Sequence, residues 1–377
     1  MPTAALGAAS IKRQKTEHMK SAVSSVLDRR HAEAFQKIKT VEIAPARTEL
    51  KPGADAAERR TARQADNSAV IQRLAKDYAS LPADQRAKTL VLTATNDDRK
   101  ALNQAIRAEL KAVGTLAAGA EVSALRKADM TKPEARRAES YQPGQVVQIG
   151  KESGPLPKGA QLEVLRADSR SNTITARDGQ GKEHTISPSQ TPMQAYAREA
   201  REFSAGDRIK FTENHTLGDG AKVRNGQTAE VSKVSDTHIH LRTGEGKNAA
   251  DIALPRSQAI KAEHAYVSTS HSAQGQTVDR VMIHHNTEGG RHGDRETYVN
   301  VTRARQDATL YTQDAGKAGK QAGATLQKTS ALDIAPRDGL ARLISPAAES
   351  KQADKPRAQE QEKTHVRERT KTTGMTM

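Results

Sequence analysis

The sequence predicts an α/β protein in which a parallel sheet is interrupted by two small antiparallel β modules. Three observations predict this class. In the first third of the chain, apolar residues spaced three and four apart alternate with compact apolar runs, as in helices and buried strands. A repeated pattern of short alternating strands fills the middle, and α/β character returns after Pro255. Helix, strand and helix in this order favour a parallel sheet covered by helices.

The composition narrows the partners that the protein can have. The 377 residues include 60 Lys and Arg against 45 Asp and Glu, a formal net charge of +15. This excess favours a polyanionic partner, either nucleic acid or an anionic membrane surface. Cysteine is absent, which excludes disulfides and thiolate metal sites and favours an intracellular compartment. No long uncharged apolar run is present, so we expect a cytoplasmic protein without a membrane-spanning helix.

The first third of the chain predicts helices around two strands. In order, the elements are a helix or broken pair of helices over 16–38, a strand at 41–43, a linker or solvated helix over 45–67, a helix over 70–78, a strand at 90–92 and a helix that ends at Gly114. Thr16 is the predicted N-cap of the first helix, and Asp97 or Asp98 that of the last.

The middle of the chain contains an internal repeat. At one constant offset, the first copy has Tyr141, Gly144, Val147 and Ile149 where the second has Phe203, Gly206, Ile209 and Phe211. Later residues match at a slightly larger offset, as insertions in loops would cause. Short alternating strands between glycine-containing turns are typical of small antiparallel barrels. The repeat therefore predicts two tandem SH3-like modules, over 141–195 and 201–255.

The rest of the chain completes the predicted domains. Strands are expected near residues 265–267, 281–283 and 310–311, with helical stretches between them. Residues 315–377 are rich in Ala, Gln, Lys and Glu and predict a disordered or helical basic tail. The α/β domain is thus predicted to comprise residues 1–130 and 260–314, on either side of the two modules.

Two segments near the end of this domain carry residues suited to binding phosphate. Residues 268–277 are predicted to leave a strand and enter a helix through Ser and Thr, which places backbone N–H groups and hydroxyls where a phosphate binds well. Gly275 allows a phosphate or another backbone to approach closely. Arg303 and Arg305 face different directions on a helix, so one points into a cleft and the other meets solvent. The alternatives are a capped helix with solvent contacts and two surface arginines.

These segments resemble motifs of superfamily 1 helicases. Residues 269–275, Thr-Ser-His-Ser-Ala-Gln-Gly, resemble motif V, and residues 298–305, Tyr-Val-Asn-Val-Thr-Arg-Ala-Arg, resemble motif VI, in the expected order and separation. Residues 11–15, Ile-Lys-Arg-Gln-Lys, resemble motif IV. Residues 95–107 resemble the Thr-Asn, Arg, Leu-Asn and Ile-Arg stretch of conjugative relaxase–helicases of the TraI/TrwC (MobF) type.

The resemblance extends over residues 1–314 and implies a fold. In those relaxase–helicases, small SH3-like modules are inserted into the second RecA-like domain, which is where the repeat lies. The fold implied is the second RecA-like domain of a P-loop helicase with inserted tandem SH3-like β-barrels.

The resemblance also implies roles for individual residues. Arg303 matches the motif VI arginine that reaches the γ-phosphate of ATP, and Arg13 matches a motif IV arginine with a similar task. A guanidinium suits this task because it is always charged and spreads several donors over phosphoryl oxygens. Further implied residues are Gln14 and Gly275 for the nucleotide and Thr269, His271, Gln274, Arg99 and Asn103 for single-stranded DNA. The alternatives are a capping or packing role for His271 and a charged surface for the helix that carries Arg99.

Parts of such an enzyme are missing from the sequence. No Gly-Lys pair is followed by Ser or Thr, so there is no P-loop to cradle phosphates and Mg²⁺. The relaxase tyrosines and metal-binding histidine cluster are also missing. The resemblance therefore implies the carboxyl-terminal helicase portion of a relaxase–helicase, truncated before motif IV, whose ATP cleft is completed by a missing RecA-like domain. ATP and Mg²⁺ are expected only in the full-length context, and the isolated chain is expected to hydrolyse no ATP.

Two classes of function follow. The first is part of an ATP-dependent DNA helicase that unwinds and transfers plasmid DNA during conjugation, with single-stranded DNA and other relaxosome or conjugation proteins as partners. The alternative is a non-catalytic accessory module that binds single-stranded DNA, or an inactive remnant. Such a module would bind mostly through charge, because the chain has only six tyrosines, three phenylalanines and no tryptophan for base stacking.

Overall fold

A computed structural model describes residues 11–44, 54–216, 220, 222–244, 249–256, 259–289 and 292–324. The helices are α1 (Glu17–Leu27), α2 (His31–Gln36), α3 (Ala56–Ala79), α4 (Ala83–Ala87), α5 (Asn96–Ala112), α6 (Asp294–Thr302) and α7 (Ala315–Ala322). Within these ranges, no helix is both long and apolar enough to cross a membrane.

Five parallel strands form the central sheet, in the order β1, β18, β17, β2, β16. Their bounds are β1 (Lys39–Glu42), β2 (Thr89–Thr93), β16 (Val267–Thr269), β17 (Val278–His285) and β18 (Ala304–Thr312). The predicted α/β class with a parallel sheet is confirmed. Every residue of β2 is buried, as expected of a strand covered on both faces.

Helices cover the two faces of this sheet. Because side chains alternate along a strand, Leu90 and Leu92 join the apolar cluster of α1, α2, α6 and α7, whereas Val91 joins that of α3 and α5. The broken pair of helices predicted over 16–38 is α1 and α2, which are separated at Arg29, a residue with φ of 61°. Thr16 is at the N-cap position of α1, but its hydroxyl donates to the Gln306 carbonyl instead of capping the helix.

Local sequence explains where the helices of the other face begin. The Asp55 carboxylate accepts from the Glu58 amide while the Glu58 side chain accepts from the Asp55 amide, a capping box that starts α3. Thus residues 56–67, predicted as linker or solvated helix, are helical, and residues 45–53 lie outside the described part. The N-cap of α5 is Thr95, one turn ahead of Asp98, so the predicted Asp caps are wrong. The threonine hydroxyl accepts from the Asp98 amide, which places the aspartates in the first turn, where the helix dipole favours them.

Two antiparallel sheets follow along the chain. The first has the order β3, β8, β4, β5, β6, β7 and the second the order β14, β13, β12, β9, β15. The first sheet's strands are β3 (Ala120–Lys127), β4 (Val146–Ile149), β5 (Gln161–Asp168), β6 (Thr173–Arg177), β7 (Glu183–Ile186) and β8 (Met193–Phe203). The second sheet's strands are β9 (Arg208–Phe211), β12 (Thr228–Val234), β13 (His238–Thr243), β14 (Ala250–Pro255) and β15 (Ala262–His264); β10 (His215–Thr216) and β11 (Lys222–Val223) pair with each other.

The two copies of the sequence repeat make the same hydrogen bonds. The Gly144 amide donates to the Val164 carbonyl at 2.8 Å, and the Gly206 amide donates to the Val231 carbonyl at 2.8 Å. Both glycines have left-handed backbone angles, φ of 84° and 92°, which glycine adopts without strain. The register also shifts just after Val164 and just after Val231. Each copy thus places a glycine turn before its first strand and a bulge in its second.

A buried lysine joins the two copies. Lys261, 3% exposed, donates to Gln148 of the first copy at 2.6 Å and to Glu213 of the second at 2.8 Å. Its ammonium also lies 4.1 Å from the ring centroid of Tyr196, whose hydroxyl donates to the same Glu213 carboxylate. Strand β3, whose residues were predicted to belong to the α/β domain, pairs along its whole length with β8. The SH3-like character of the copies stays a prediction.

The beginning of the predicted tail is part of the folded α/β region. Helix α7 is capped by Asp314, whose carboxylate accepts from the Lys317 amide, and it buries Ala318 and Ala322 against the cluster that includes Phe35. Residues 325–377, for which disorder or helix was predicted, lie outside the described residues.

Candidate functional site

The segment predicted to correspond to motif IV lies directly beside the one predicted to correspond to motif VI. The buried Gln14 side chain donates from Nε2 to the carbonyls of Thr302 and Ala304, at 3.2 and 3.1 Å. The Lys15 amide donates to the Arg305 carbonyl at 2.7 Å. These bonds hold residues 11–16 along the amino-terminal end of β18. The two segments lie near opposite ends of the described part of the sequence.

A cationic groove opens at this junction. It has a volume of about 680 Å³ and is lined by Lys12, Arg13, Lys15, Thr277 and Arg305. We call these five residues the cationic groove. None of the five is acidic; Arg305 lies 3.9 Å from the carboxylate of Asp279, which is outside the lining. Clustered charges of one sign in a concave surface raise the local concentration of ligands of the opposite sign, so the groove is suited to an anion.

Arg303 lies next to the groove and is 7% exposed. Its guanidinium donates to three neutral oxygens: the carbonyl of Gln276 at 3.0 Å, the carbonyl of Val299 at 3.3 Å and the hydroxyl of Thr302 at 3.4 Å. Burial, and after it the positive charge of Arg13, lower the pKa of Arg303. An arginine remains charged in proteins, so an incoming phosphate would stabilise it.

The connection between β16 and β17 is a turn, so the helix predicted after residue 270 is wrong. The Thr269 carbonyl accepts from the Ala273 amide at 3.0 Å, and the His271 carbonyl from the Gln274 amide at 3.3 Å. The chain does not continue as a helix because Gly275 has φ of 93° and β17 begins at Val278. An added Cβ at Gly275 would meet no atom within 4 Å, so here glycine serves the backbone angle alone.

The turn spans the sheet and is exposed in its centre. It leaves β16 at the carboxyl-terminal edge and enters β17 at the amino-terminal edge. His271, Gln274 and Gly275 are exposed, whereas Ala273 is fully buried against the helices. The three exposed residues therefore lie on a surface open to a ligand. The Thr269 hydroxyl is partly exposed and pairs with Ser272 at 3.0 Å.

Helix α6 holds both ends of this turn. At one end, the Ser270 hydroxyl donates to the Thr93 carbonyl and to the Glu296 carboxylate, each at 3.3 Å. At the other, Arg303 donates to the Gln276 carbonyl, and its own carbonyl accepts from the Val278 amide at 3.0 Å. One helix thus connects the exposed turn with the cationic groove.

Arg99 and Asn103, the two remaining predicted site residues, lie apart from the groove. Arg99 pairs with Glu263 of β15 at 2.9 Å. Asn103 is buried, and its carbonyl oxygen accepts from the amides of Tyr266 and Val267 at 3.0 and 3.3 Å. Both side chains thus fix α5 to the chain that leads into β16. Their contact with DNA stays a prediction.

A second set of contacts between α5 and the rest of the chain lies one helical turn further along this helix. Arg107 donates to Asp207 at 2.8 and 3.0 Å, and Asp207 also accepts from the Tyr266 hydroxyl at 2.8 Å. Nearby, burial lowers the pKa of His264 to about 4, against the opposing effect of Asp207. This network fastens the second β copy to the α/β region.

A histidine cluster, which the sequence analysis missed, lies at the opposite edge of the sheet from the groove. His284 is buried between the Thr93 hydroxyl and the Asn67 amide oxygen, each 3.0 Å from a ring nitrogen. His285 stacks on His292, with ring centroids 3.6 Å apart. Burial lowers the pKa of His284 to about 4 and that of His285 to about 3. The adjacent histidines after an apolar run were the available signal. In the described ranges, no group of three or more His, Asp and Glu is placed to hold a metal ion.

Comparison with known proteins identifies relatives. Residues 172–312 match the viral superfamily 1 RNA helicase core domain. The multifunctional conjugation protein TraI of Escherichia coli strain K12 is 25% identical over 275 residues, 70% of this chain and 15% of that protein. The conjugal transfer protein TraA of Agrobacterium fabrum is 34% identical over 111 residues, 29% of this chain and 10% of that protein. The chain therefore spans a small part of the curated relatives that it matches.

Solved structures with partial similarity include two Pif1 helicases. The Pif1 helicase from Bacteroides in complex with ADP-AlF3 and ssDNA is 12% identical with a TM-score of 0.26, over 89% of this chain and 54% of that one. The Pif1 helicase from Candida albicans is 10% identical with a TM-score of 0.30, over 66% of this chain and 54% of that one.

Proposed function

We propose that this chain, which is similar to TraI and TraA conjugation proteins and matches a superfamily 1 helicase domain over residues 172–312, is the second RecA-like part of a DNA helicase that acts in conjugation. In this proposal the parallel sheet and the helices that cover it are the RecA-like domain, which the sequence predicts within residues 1–130 and 260–314. The two β copies, 141–195 and 201–255, are inserted SH3-like modules. The cationic groove receives the phosphates of ATP, and the exposed turn 270–277 receives single-stranded DNA.

The cationic groove beside Arg303 is the observation that carries the nucleotide part. Arg13 lines the groove, and Arg303 is held within reach of it by the Gln276 and Val299 carbonyls. Arg303 exchanges these weak neutral acceptors for phosphoryl oxygens when a nucleotide binds, and a guanidinium neutralises the charge that develops there. Gln14 acts by position, because its amide nitrogen is bonded to the two carbonyls that hold residues 11–16 in place.

Hydrolysis requires groups that this sequence does not contain. It has no P-loop, and the described residues include no acidic cluster suited to Mg²⁺. We therefore assign the P-loop and the Mg²⁺ ligands to another RecA-like domain. This chain contributes cations that bind and orient the phosphates, and it has no base for activating water in the groove. It is expected to bind nucleotide weakly and to hydrolyse none alone.

The DNA part of the proposal rests on the exposed turn. Thr269, His271 and Gln274 offer a hydroxyl, an imidazole and an amide on a surface next to Gly275, where a backbone phosphate can approach. Helix α6 connects this surface with Arg303, as described above. A strand bound at the turn therefore shifts the same helix that positions the arginine, which links DNA binding to the nucleotide.

Calorimetric titration of the full chain with ATP and with tripolyphosphate tests the nucleotide part. Arg13→Ala is expected to weaken the binding of both ligands at least about tenfold, since a hydrogen bond to a charged group contributes about 1.5–3 kcal/mol. Arg303→Ala should do the same, and Arg303→Lys should recover part of the loss. Arg295→Ala removes an exposed arginine from the same helix and is the matched control. Equal affinities for all four variants would refute the assignment of the groove.

Two further measurements test the incomplete cleft and the DNA site. The chain should show no ATPase activity; DNA-stimulated hydrolysis that Arg303→Ala abolishes would show that it contains a complete site. An oligo-dT strand should bind with an affinity that falls steeply with salt, and His271→Ala with Gln274→Ala should weaken it. A net charge of +15 also supports the second candidate function, an accessory DNA-binding module. Salt-sensitive DNA binding without any nucleotide binding would favour that module.

A further inference from the structure

Tyr298 differs from every other aromatic residue in this chain. All nine aromatic side chains lie in the described part, and eight of them are buried. Tyr298 is 43% exposed. A chain with so few aromatic rings, which uses the others for its cores, leaves this one in contact with water. Aromatic rings have a large apolar area and a flat face that stacks on other rings, so this exposed ring is available to a flat ligand.

The position of Tyr298 connects it to the cationic groove. It lies on α6, and Val301 and Thr302, one helical turn further along on the same side, are buried. Its carbonyl accepts from the Thr302 hydroxyl at 2.7 Å, one helical turn away, a rise of about 6 Å. The Thr302 carbonyl in turn holds Gln14, between two residues that line the groove. The backbone of Tyr298 therefore lies one helical turn from the residue that holds the motif IV segment beside the groove.

We propose that Tyr298 is a stacking surface for the nucleobase of a nucleoside triphosphate whose phosphates occupy the cationic groove. This inference rests on the proposed function and adds a contact to the base. Cations that bind phosphates and an exposed ring on the helix beside them match the two chemically different ends of a nucleotide. On the same helix, Asp294 and Arg295 lie one turn before the ring, so the nearest charges on that side have opposite signs. The cations of the groove, and not the surface beside the ring, favour an anionic ligand.

The nature of the contact sets its specificity. A ring face stacks on any base and reads no hydrogen-bonding edge. Tyr298 is therefore expected to distinguish nucleotides from bare polyphosphates, and to distinguish poorly between ATP and GTP. The hydroxyl is not required, so phenylalanine should replace tyrosine.

Calorimetric titration of the full chain with three probes tests the inference. Tyr298→Ala is expected to weaken ATP about 5- to 10-fold, at the lower end of what one base–aromatic stack contributes, and to leave tripolyphosphate unchanged. Tyr298→Phe should bind both like the parent chain, and Val113→Ala, at an exposed apolar residue elsewhere, is the control for removing surface area. Because Tyr298 is exposed, these substitutions should leave folding intact, which far-UV circular dichroism verifies.

The outcomes separate this inference from the proposed function. If the parent binds ATP and tripolyphosphate but Tyr298→Ala binds ATP normally, the stacking inference is wrong and the groove remains. If the parent binds neither ligand, the groove assignment itself fails. If Tyr298→Ala weakens oligo-dT and leaves ATP unchanged, the ring contacts DNA bases and the inference is overturned. A loss confined to ATP supports it.

Discussion

Acidification should destabilise this fold through three histidines, of which His284 and His285 are buried and His264 is partly buried. Burial lowers the pKa of His264 and His284 to about 4 and that of His285 to about 3, whereas an unfolded histidine titrates near 6.5. The unfolded chain therefore binds more protons than the native chain between about pH 4 and pH 6.5. Stability rises with pH wherever the unfolded state binds more protons. The three neutral histidines make their full contribution to the free energy of unfolding above about pH 7.5, and this contribution is lost as the pH falls through 6.5.

The size of this loss of stability does not depend on the exact native pKa values, provided that they lie well below pH 5.5. At pH 5.5 each of the three rings is neutral when folded, because its native pKa is well below that pH, and about nine-tenths protonated when unfolded. Between neutral pH and pH 5.5, each ring that stays neutral in the fold lowers the free energy of unfolding by about 1.4 kcal/mol. The three rings together lower it by about 4 kcal/mol. This is a large fraction of the stability of a typical domain. Carboxylates add little in this range, since they titrate lower.

Urea unfolding at pH 7.5 and at pH 5.5, followed by far-UV circular dichroism, measures the effect. The free energy of unfolding should fall by about 4 kcal/mol between the two conditions. His285→Gln should reduce that difference by about 1.4 kcal/mol, while His271→Asn, a change at an exposed histidine, should leave it unaltered. A parent chain that loses less than about 1 kcal/mol, or a His285→Gln chain with the parent's pH dependence, would refute this reasoning.

Three substitutions test other parts of the fold. Lys261→Met leaves the Glu213 carboxylate without its buried cation and should lower the free energy of unfolding by about 2–3 kcal/mol; an unchanged urea midpoint would show that the lysine is dispensable. Asn103→Ala removes the acceptor of two backbone amides and should cost about 1–3 kcal/mol, with faster hydrogen exchange at those amides as its specific signature. Gly275→Ala should cost about 1–2 kcal/mol through backbone angle alone, and a thermal midpoint equal to the parent's would show that the turn can relax.

The sequence was most informative where structure depends on neighbours along the chain. The matching glycines at 144 and 206 lead into the same local hydrogen bonds, because each turn needs a left-handed residue at that point. Apolar runs such as Leu90 to Leu92 predict a buried strand for the same local reason. The α/β class followed from these signals.

Prediction failed where a distant partner decides the outcome. Residues 270–275 carry hydroxyls and helix-forming residues, but the start of β17 and the angle at Gly275 leave room only for a turn. Arg99 and Asn103 were predicted to contact DNA, which stays a prediction, but the sequence did not reveal their partners in β15 and at the start of β16. No local pattern reveals such partners.

The cationic groove could be predicted from the sequence only in part. Motif resemblance selected Arg13 and Arg303, and the structure places the first in the groove and the second next to it. It did not assign roles to Lys12, Lys15, Thr277 and Arg305, and the hydrogen bonds of Gln14 and Lys15 to the start of β18 hold the two lysines beside Arg305. The positive charge of the sequence predicts an anionic ligand. Which cations line the groove depends on hydrogen bonds between residues that are distant in the sequence.

The order of strands in the parallel sheet has a consequence for folding. Strands β2 and β17 are hydrogen-bonded neighbours, yet β2 ends at Thr93 and β17 begins at Val278, with both β copies between them. Closing so long a loop is slow and costly, whereas the antiparallel copies contain mostly short-range pairings. Once folded and fixed to α5, they shorten the effective loop and so lower the cost of closing it. We therefore expect the copies to acquire hydrogen-exchange protection first during refolding, and the parallel sheet, with the groove, to form last.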